Sequence, residues 1–155
     1  MIQHPCTKWL PLVAASLLLG ACAAPGTRDS ASSADSHAVL KQRAQQRWTD
    51  LINKHADKAY EYLTPGYRNT VSQQQYASNM DNRPLNWKSA RVNKLECAQP
   101  DNCTVYMIVD YTMHMPGAGV GEVKGFAPLK ETWLHLRDQW YYLPREGGGK
   151  LGKAK

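Results

Sequence analysis

From Val39 to Asn53 the apolar positions return at helical spacing. Leu40, Ala44, Trp48, Leu51 and Ile52 form one stripe among strong helix formers. Asn53-Lys54-His55 interrupts that stripe. Asp57 is placed to cap a second, shorter helix in which Ala59, Tyr60 and Leu63 share a face, and Pro65-Gly66 to end it. "SQQQ", Ser72 to Gln75, reads as a capping box. The serine oxygen would accept from one orphan amide while Gln75 reaches back to another, opening a third helix to about Met80.

After "DNRP" the period changes from that of a helix to that of a strand. Trp87–Cys97, Cys103–Met115, Phe126–Arg137 and Trp140–Leu143 are rich in β-branched and aromatic residues with alternation. "QPDN" and "RDQ" read as hairpin turns, and "PGAGVGEVKG" as a longer, mobile connection. Alternation fails between Val92 and Leu95, which predicts a bulge near Asn93. Helices followed by an antiparallel meander make an α+β layer arrangement.

The ends of the chain follow neither pattern. Met1–Ala21 has the three parts of an export signal: Lys8 as its one charge, an apolar run from Trp9 to Leu19, and small residues Gly20-Ala21. That run is about half of the ~20 residues a spanning helix needs. "LGAC", Leu19 to Cys22, resembles a bacterial lipobox. The resemblance implies that Cys22 becomes the first residue of the mature chain, with lipid on its sulfur and its amino group. Two or more acyl chains hold stably, at about 0.8 kcal/mol per buried methylene. Ala23 stands where the enterobacterial pattern places an aspartate for inner-membrane retention. The resemblance therefore implies the inner leaflet of the outer membrane, facing the periplasm. An ordinary signal peptide cleaved nearby is the alternative. The division expected is a signal peptide over 1–21, a lipidated flexible tether over 22–36, an α+β domain over 37–146 and a disordered basic tail over 147–155.

The 155 residues suit one domain, and 43% hydrophobic content excludes a membrane bundle or a disordered chain for the bulk. A net charge of +6 would favour anionic partners. The basic residues are scattered, three of them (Lys150, Lys153, Lys155) in the glycine-rich tail, and no RNA-recognition or zinc-finger signature accompanies them. Nucleic acid is not an expected partner. Cys97 and Cys103 flank the "AQPDN" turn, and in an exported domain such a pair is expected to be joined as a staple. A redox pair is the alternative, although the spacing is not C-x-x-C.

The order of elements and the string "RWTDLINKHADKAYEYLTPGYRNTVSQQQY" resemble the opening of a nuclear transport factor 2-like (SnoaL-like) domain. "ETWLHLRDQWYYLP" resembles that family's closing hairpin. The likeness covers most of Leu40 to Pro144. It implies helices packed in the concave face of a strongly bent four-stranded antiparallel sheet, a cystatin-like cone whose mouth often holds a pocket. Members include enzymes, binding modules and scaffold components, so the fold does not choose among them.

An acid–base enzyme of the ketosteroid-isomerase or polyketide-cyclase kind would need a buried base, and Asp110 and His114 are the candidates. Four strand residues separate their Cα atoms by about 13 Å, so they form no direct dyad. His114 could instead meet His135 or Glu131, and the plainer reading puts Asp110 and His114 on a partly wet sheet face. "MHM" suggests soft metal, but on a strand Met113 and Met115 face away from His114. No metal and no cofactor are expected. Trp48, Tyr60, Tyr76 and Trp133, with Asp110 and His114, make the candidate pocket, most of the aromatics being core. Arg68, in the "P.YR" turn, is expected to tie helices to sheet. The function expected is non-catalytic binding of a small apolar ligand or an envelope protein, with a homodimer allowed. The alternatives are the small enzyme and a structural part of an envelope assembly.

Overall fold

A computed structural model describes residues 27–114 and 121–145, with side chains from residue 33 onward. Residues 1–26, 115–120 and 146–155 are outside this range. The signal segment, Cys22, Met115 and the C-terminal tail therefore lie outside the described residues.

Four helices precede four strands: α1 Thr27–Ile52, α2 Ala56–Tyr60, α3 Pro65–Arg68, α4 Gln73–Asp81, β1 Asn86–Gln99, β2 Asn102–His114, β3 Glu122–Leu136 and β4 Gln139–Leu143. The strands make one open, curled antiparallel sheet in the order β1-β2-β3-β4, so the protein is α+β as the change of period predicts. Leu40, Ala44, Trp48 and Leu51 of α1 are buried on one stripe. They pack on the sheet face that carries Cys103, Val105, Met107 and Val109.

Several boundaries differ from expectation. The first helix begins at Thr27, not Val39, so the expected tether over 22–36 is helical from Thr27 onward. Ser36 in this extension accepts a hydrogen bond from Trp140 Nε1 at 3.1 Å, a tertiary contact the local composition does not reveal. Asp57 caps nothing: it lies inside the first turn of α2, and His55 holds the cap position without a side-chain bond. Pro65 begins α3 instead of ending α2, with Thr64 as its N-cap. Ser72 caps α4 through Gln75 N at 3.2 Å, while among the described residues the return bond from the Gln75 side chain is absent. β3 starts at Glu122, which shortens the expected β2–β3 connection.

The end of α1 is built against the grain of its sequence. His55 N donates to Asp50 O at 2.8 Å and Lys54 N to Leu51 O at 3.2 Å, a Schellman closure. Lys54 takes the left-handed position at φ 63° that glycine would hold without strain. Arg137 and Asp138 form the two-residue β3–β4 turn with φ of 55° and 67°, matching the twist of the hairpin.

Bulges fit β1 to its neighbour. The register passes from Val92↔Met107 to Lys94↔Tyr106, which leaves Asn93 as the extra residue expected from the lost alternation. A second shift between Trp87 and Ser89 does the same for Lys88. Trp87, Ala90, Val92 and Leu95 can then all turn to the core despite three-residue gaps. At the far edge, Thr64 N donates to Tyr142 O and Tyr142 N to Tyr62 O, so the Tyr62–Thr64 segment covers part of β4.

Candidate functional site

The space enclosed by helices and sheet is where the resemblance places a pocket. In this chain it is occupied by a charged cluster. Arg47 and Glu131 are 4% and 3% exposed, and Arg47 Nη1 donates to Glu131 Oε1 at 2.7 Å. Trp48 Nε1 donates to the same oxygen at 2.9 Å, and Trp133 Nε1 to Oε2 at 3.1 Å. Arg47 Nη2 donates to Tyr76 OH at 3.3 Å, and its Cζ stands 4.0 Å from the centre of the Tyr142 ring. A buried carboxylate is tolerable only when such donors surround it.

Burial works to lower the pKa of Arg47, but Tyr76, Glu131 and Tyr142 outweigh it and hold the guanidinium raised. Burial pushes the Tyr142 phenol up to about 12, with Glu131, Tyr76 and Tyr67 adding to the rise and Arg47 opposing it. The cluster therefore holds a fixed cation, and its phenol stays neutral at ordinary pH.

Of the candidate pocket residues, Trp48, Tyr76 and Trp133 meet at the Arg47–Glu131 cluster, with Tyr60 beside Tyr76, while Asp110 and His114 stand apart from them. Trp48, Tyr76 and Trp133 are sealed in the core, and Tyr60 donates to the carbonyls of Arg68 and Val71. Asp110 and His114 lie on the opposite, outer face of β2. Ser89 Oγ donates to Asp110 at 2.5 Å, Arg91 lies 3.6 Å away, and the aspartate side chain is 44% exposed. His114 is exposed and pairs across the strands with Glu122. Glu131 pairs with Val105, nine residues from His114 along β2 or roughly 30 Å, and His135 stacks near Trp140. Neither Asp110 nor His114 is therefore buried, because strand alternation places both on the outer face of β2. Arg68, at the end of α3, has its Cζ 6.0 Å from the ring centre of Tyr141 on β4.

The outer face has its own character. Phe126 is 69% exposed, beside Ile108 and Pro128. The same face carries Arg91, Lys94, Lys124 and Lys130 together with Asp110, directly opposite Phe126, and Lys88, Asp110, Glu122 and Lys124 line an open groove of about 690 Å³. Lys94 and Lys130 lie 5.8 and 5.2 Å from the Tyr106 ring centre. Tyr106 donates to Glu96, which also pairs with Lys94. The hydrogen bond from Lys94, followed by that from Tyr106, holds the Glu96 carboxyl below the usual range.

The fold has counterparts among solved structures. A SEC-C motif containing protein from Rhodopseudomonas palustris aligns with a TM-score of 0.51 at 17% identity, covering 66% of this chain and 73% of its own. A protein from Catenulispora acidiphila aligns with a TM-score of 0.50 at 12% identity, covering 72% and 89%. At these identities the likeness is one of fold. No protein-family model and no curated protein matches the chain.

Sequence reasoning missed Arg47 and did not foresee the role of Glu131. Arg47 sits next to Trp48 in a helical run where an arginine reads as surface, and its partner lies 84 residues away. The available signal was weak: Glu131 stands at an inward position of an otherwise apolar alternation ending in Trp133. The outer patch was also missed, because Phe126 alone reads as a core strand residue.

Proposed function

We propose that this protein is a lipid-anchored envelope lipoprotein whose SnoaL-like domain binds a protein partner without catalysis. Cys22 carries the anchor in the inner leaflet of the outer membrane, and the domain faces the periplasm. Phe126 is the observation that carries the binding reading. A large exposed aromatic beside Ile108 and Pro128, on a face where Arg91, Lys94, Lys124 and Lys130 outnumber Asp110, Glu96 and Glu122, suits an apolar segment bearing acidic side chains. The protein-partner reading is preferred to a small ligand because Arg47, Glu131 and the tryptophans occupy the interior. No described helix is long and apolar enough to cross a membrane.

The test uses the full chain in its own cells, with a photoreactive residue at position 126 or, on a helix, at position 57. The expected result is a discrete protein adduct from 126, absent from 57 and lost in Lys124→Glu/Lys130→Glu. Equal adducts from both positions, or lipid adducts alone, overturn the protein-binding face. Cys22→Ser is expected to lose labelled palmitate and leave the membrane fraction; a variant that still takes up palmitate overturns the anchor.

A further inference from the structure

Cys97 lies near the end of β1 and Cys103 near the start of β2, and they are directly opposed across the strands. Their sulfurs are joined in a disulfide. A third soft donor stands beside them. His37 Nε2 lies 3.3 Å from Cys97 Sγ, although 60 residues separate the two in sequence. The imidazole nitrogen and both sulfurs all lie within 4.8 Å of one another, and Cys103 is completely buried.

This contact is held by packed elements. His37 lies one turn before Leu40 on the α1 face that continues through Ala44 and Trp48, all buried. Its neighbour Ser36 is bonded to Trp140 of β4, which fixes this turn of α1 against the sheet. The two cysteines come from paired strands. All three donors are therefore presented by regular structure, the arrangement a preorganised ion site needs.

We propose that Cys97, Cys103 and His37 form a redox-gated site for a thiophilic cation such as Zn²⁺. In the disulfide the sulfurs carry no charge and the site is shut. A dithiol supplies two electrons and two protons, breaks the S–S bond, leaves as its own disulfide and frees two cysteine thiols. On binding, the cation displaces both thiol protons and takes two thiolates and the neutral imidazole. A fourth position stays open to water. Tetrahedral Zn–S bonds of about 2.3 Å need the sulfurs roughly 3.8 Å apart, a separation within reach of side-chain rotation alone. Thiolate and imidazole donors select Zn²⁺ or Cu⁺ over Mg²⁺ and Ca²⁺.

The experiment uses the full chain carrying Cys6→Ser and Cys22→Ser, so that only Cys97 and Cys103 can ligate as thiolates. After anaerobic reduction, Co²⁺ is added as a spectroscopic stand-in. Zn²⁺ affinity is then read by competition with a chromophoric chelator. The expected result is one ion per reduced chain, a thiolate-to-cobalt charge-transfer band, and no such band in the oxidised chain. His37→Ala is expected to weaken Zn²⁺ binding by at least about tenfold. Near-UV circular dichroism follows the fold throughout. The proposal is overturned if the reduced chain binds no tighter than the oxidised chain or Cys97→Ser/Cys103→Ser. Unchanged affinity in His37→Ala overturns it too, as does a Zn²⁺-bound chain without the native near-UV signal. The oxidised chain remains a sufficient control if the double serine variant fails to fold.

Discussion

Glu131 accepts hydrogen bonds from three buried N–H groups, those of Arg47, Trp48 and Trp133. Its loss strands a guanidinium and two indoles together. Glu131→Leu is expected to cost about 3–5 kcal/mol in urea unfolding, and Glu131→Gln less, since an amide oxygen still accepts. Replacing both charges is the sharper case. Arg47→Met/Glu131→Leu removes the ion pair but leaves two indole N–H groups unpaired, so it should remain at least about 2 kcal/mol below the parent. A double variant as stable as the parent would show that the carboxylate serves only the arginine. Tyr142 adds a pH signature. Its folded pKa of about 12 lies above the ordinary phenol value of about 10. The neutral phenol's contribution is therefore complete below pH 10 and is lost as pH rises to about 12. Urea unfolding between pH 9 and 11.5 should show that fall, and Tyr142→Phe should flatten it.

Among the elements, β1 depends most on local irregularity, and the disulfide crosses its pairing with β2 close to the hairpin turn. The cysteines are only six residues apart, and the strands are paired up to Gln99↔Asn102 without them. The bond therefore removes little chain entropy, on the order of 2 kcal/mol. Reduction should lower Tm by about 5–10 °C in a calorimetric scan while the chain stays folded below it. A reduced chain already unfolded at 25 °C would mean that the bond holds the register. α1 shows the complementary case. Its stripe from Leu40 to Leu51 was legible from spacing, yet the turns before Val39 were not, because Ala, Ser and Asp there carry no apolar period. What steadies the helix near Ser36 is Trp140 from β4, and local spacing cannot register a contact across 104 residues.

For the molecule as a whole, periodicity was enough for the class and the order of elements. A period of 3.6 followed by a period of two yields helices and then a meander, and the break at Asn93 announces the bulge. Short-range steric and hydrogen-bonding preferences set those features, so they are readable one window at a time. Facing was legible too. Alternation along β2 put Asp110 and His114 on the wet side together, which already weakened an acid–base site. Meetings across the chain were not legible. Arg47 and Glu131 carry charges that sequence reading assigns to solvent, and His37 looks like one more polar residue ahead of a helix. The packing of α1 into the curled sheet brings Arg47 to Glu131 and His37 to Cys97, across 84 and 60 residues. The sequence by itself thus determined the elements, their order and the facing of β2, through local physics. Only the tertiary structure decided that an ion pair lies inside the apolar core and that a histidine stands at the disulfide, because both follow from how separate elements pack.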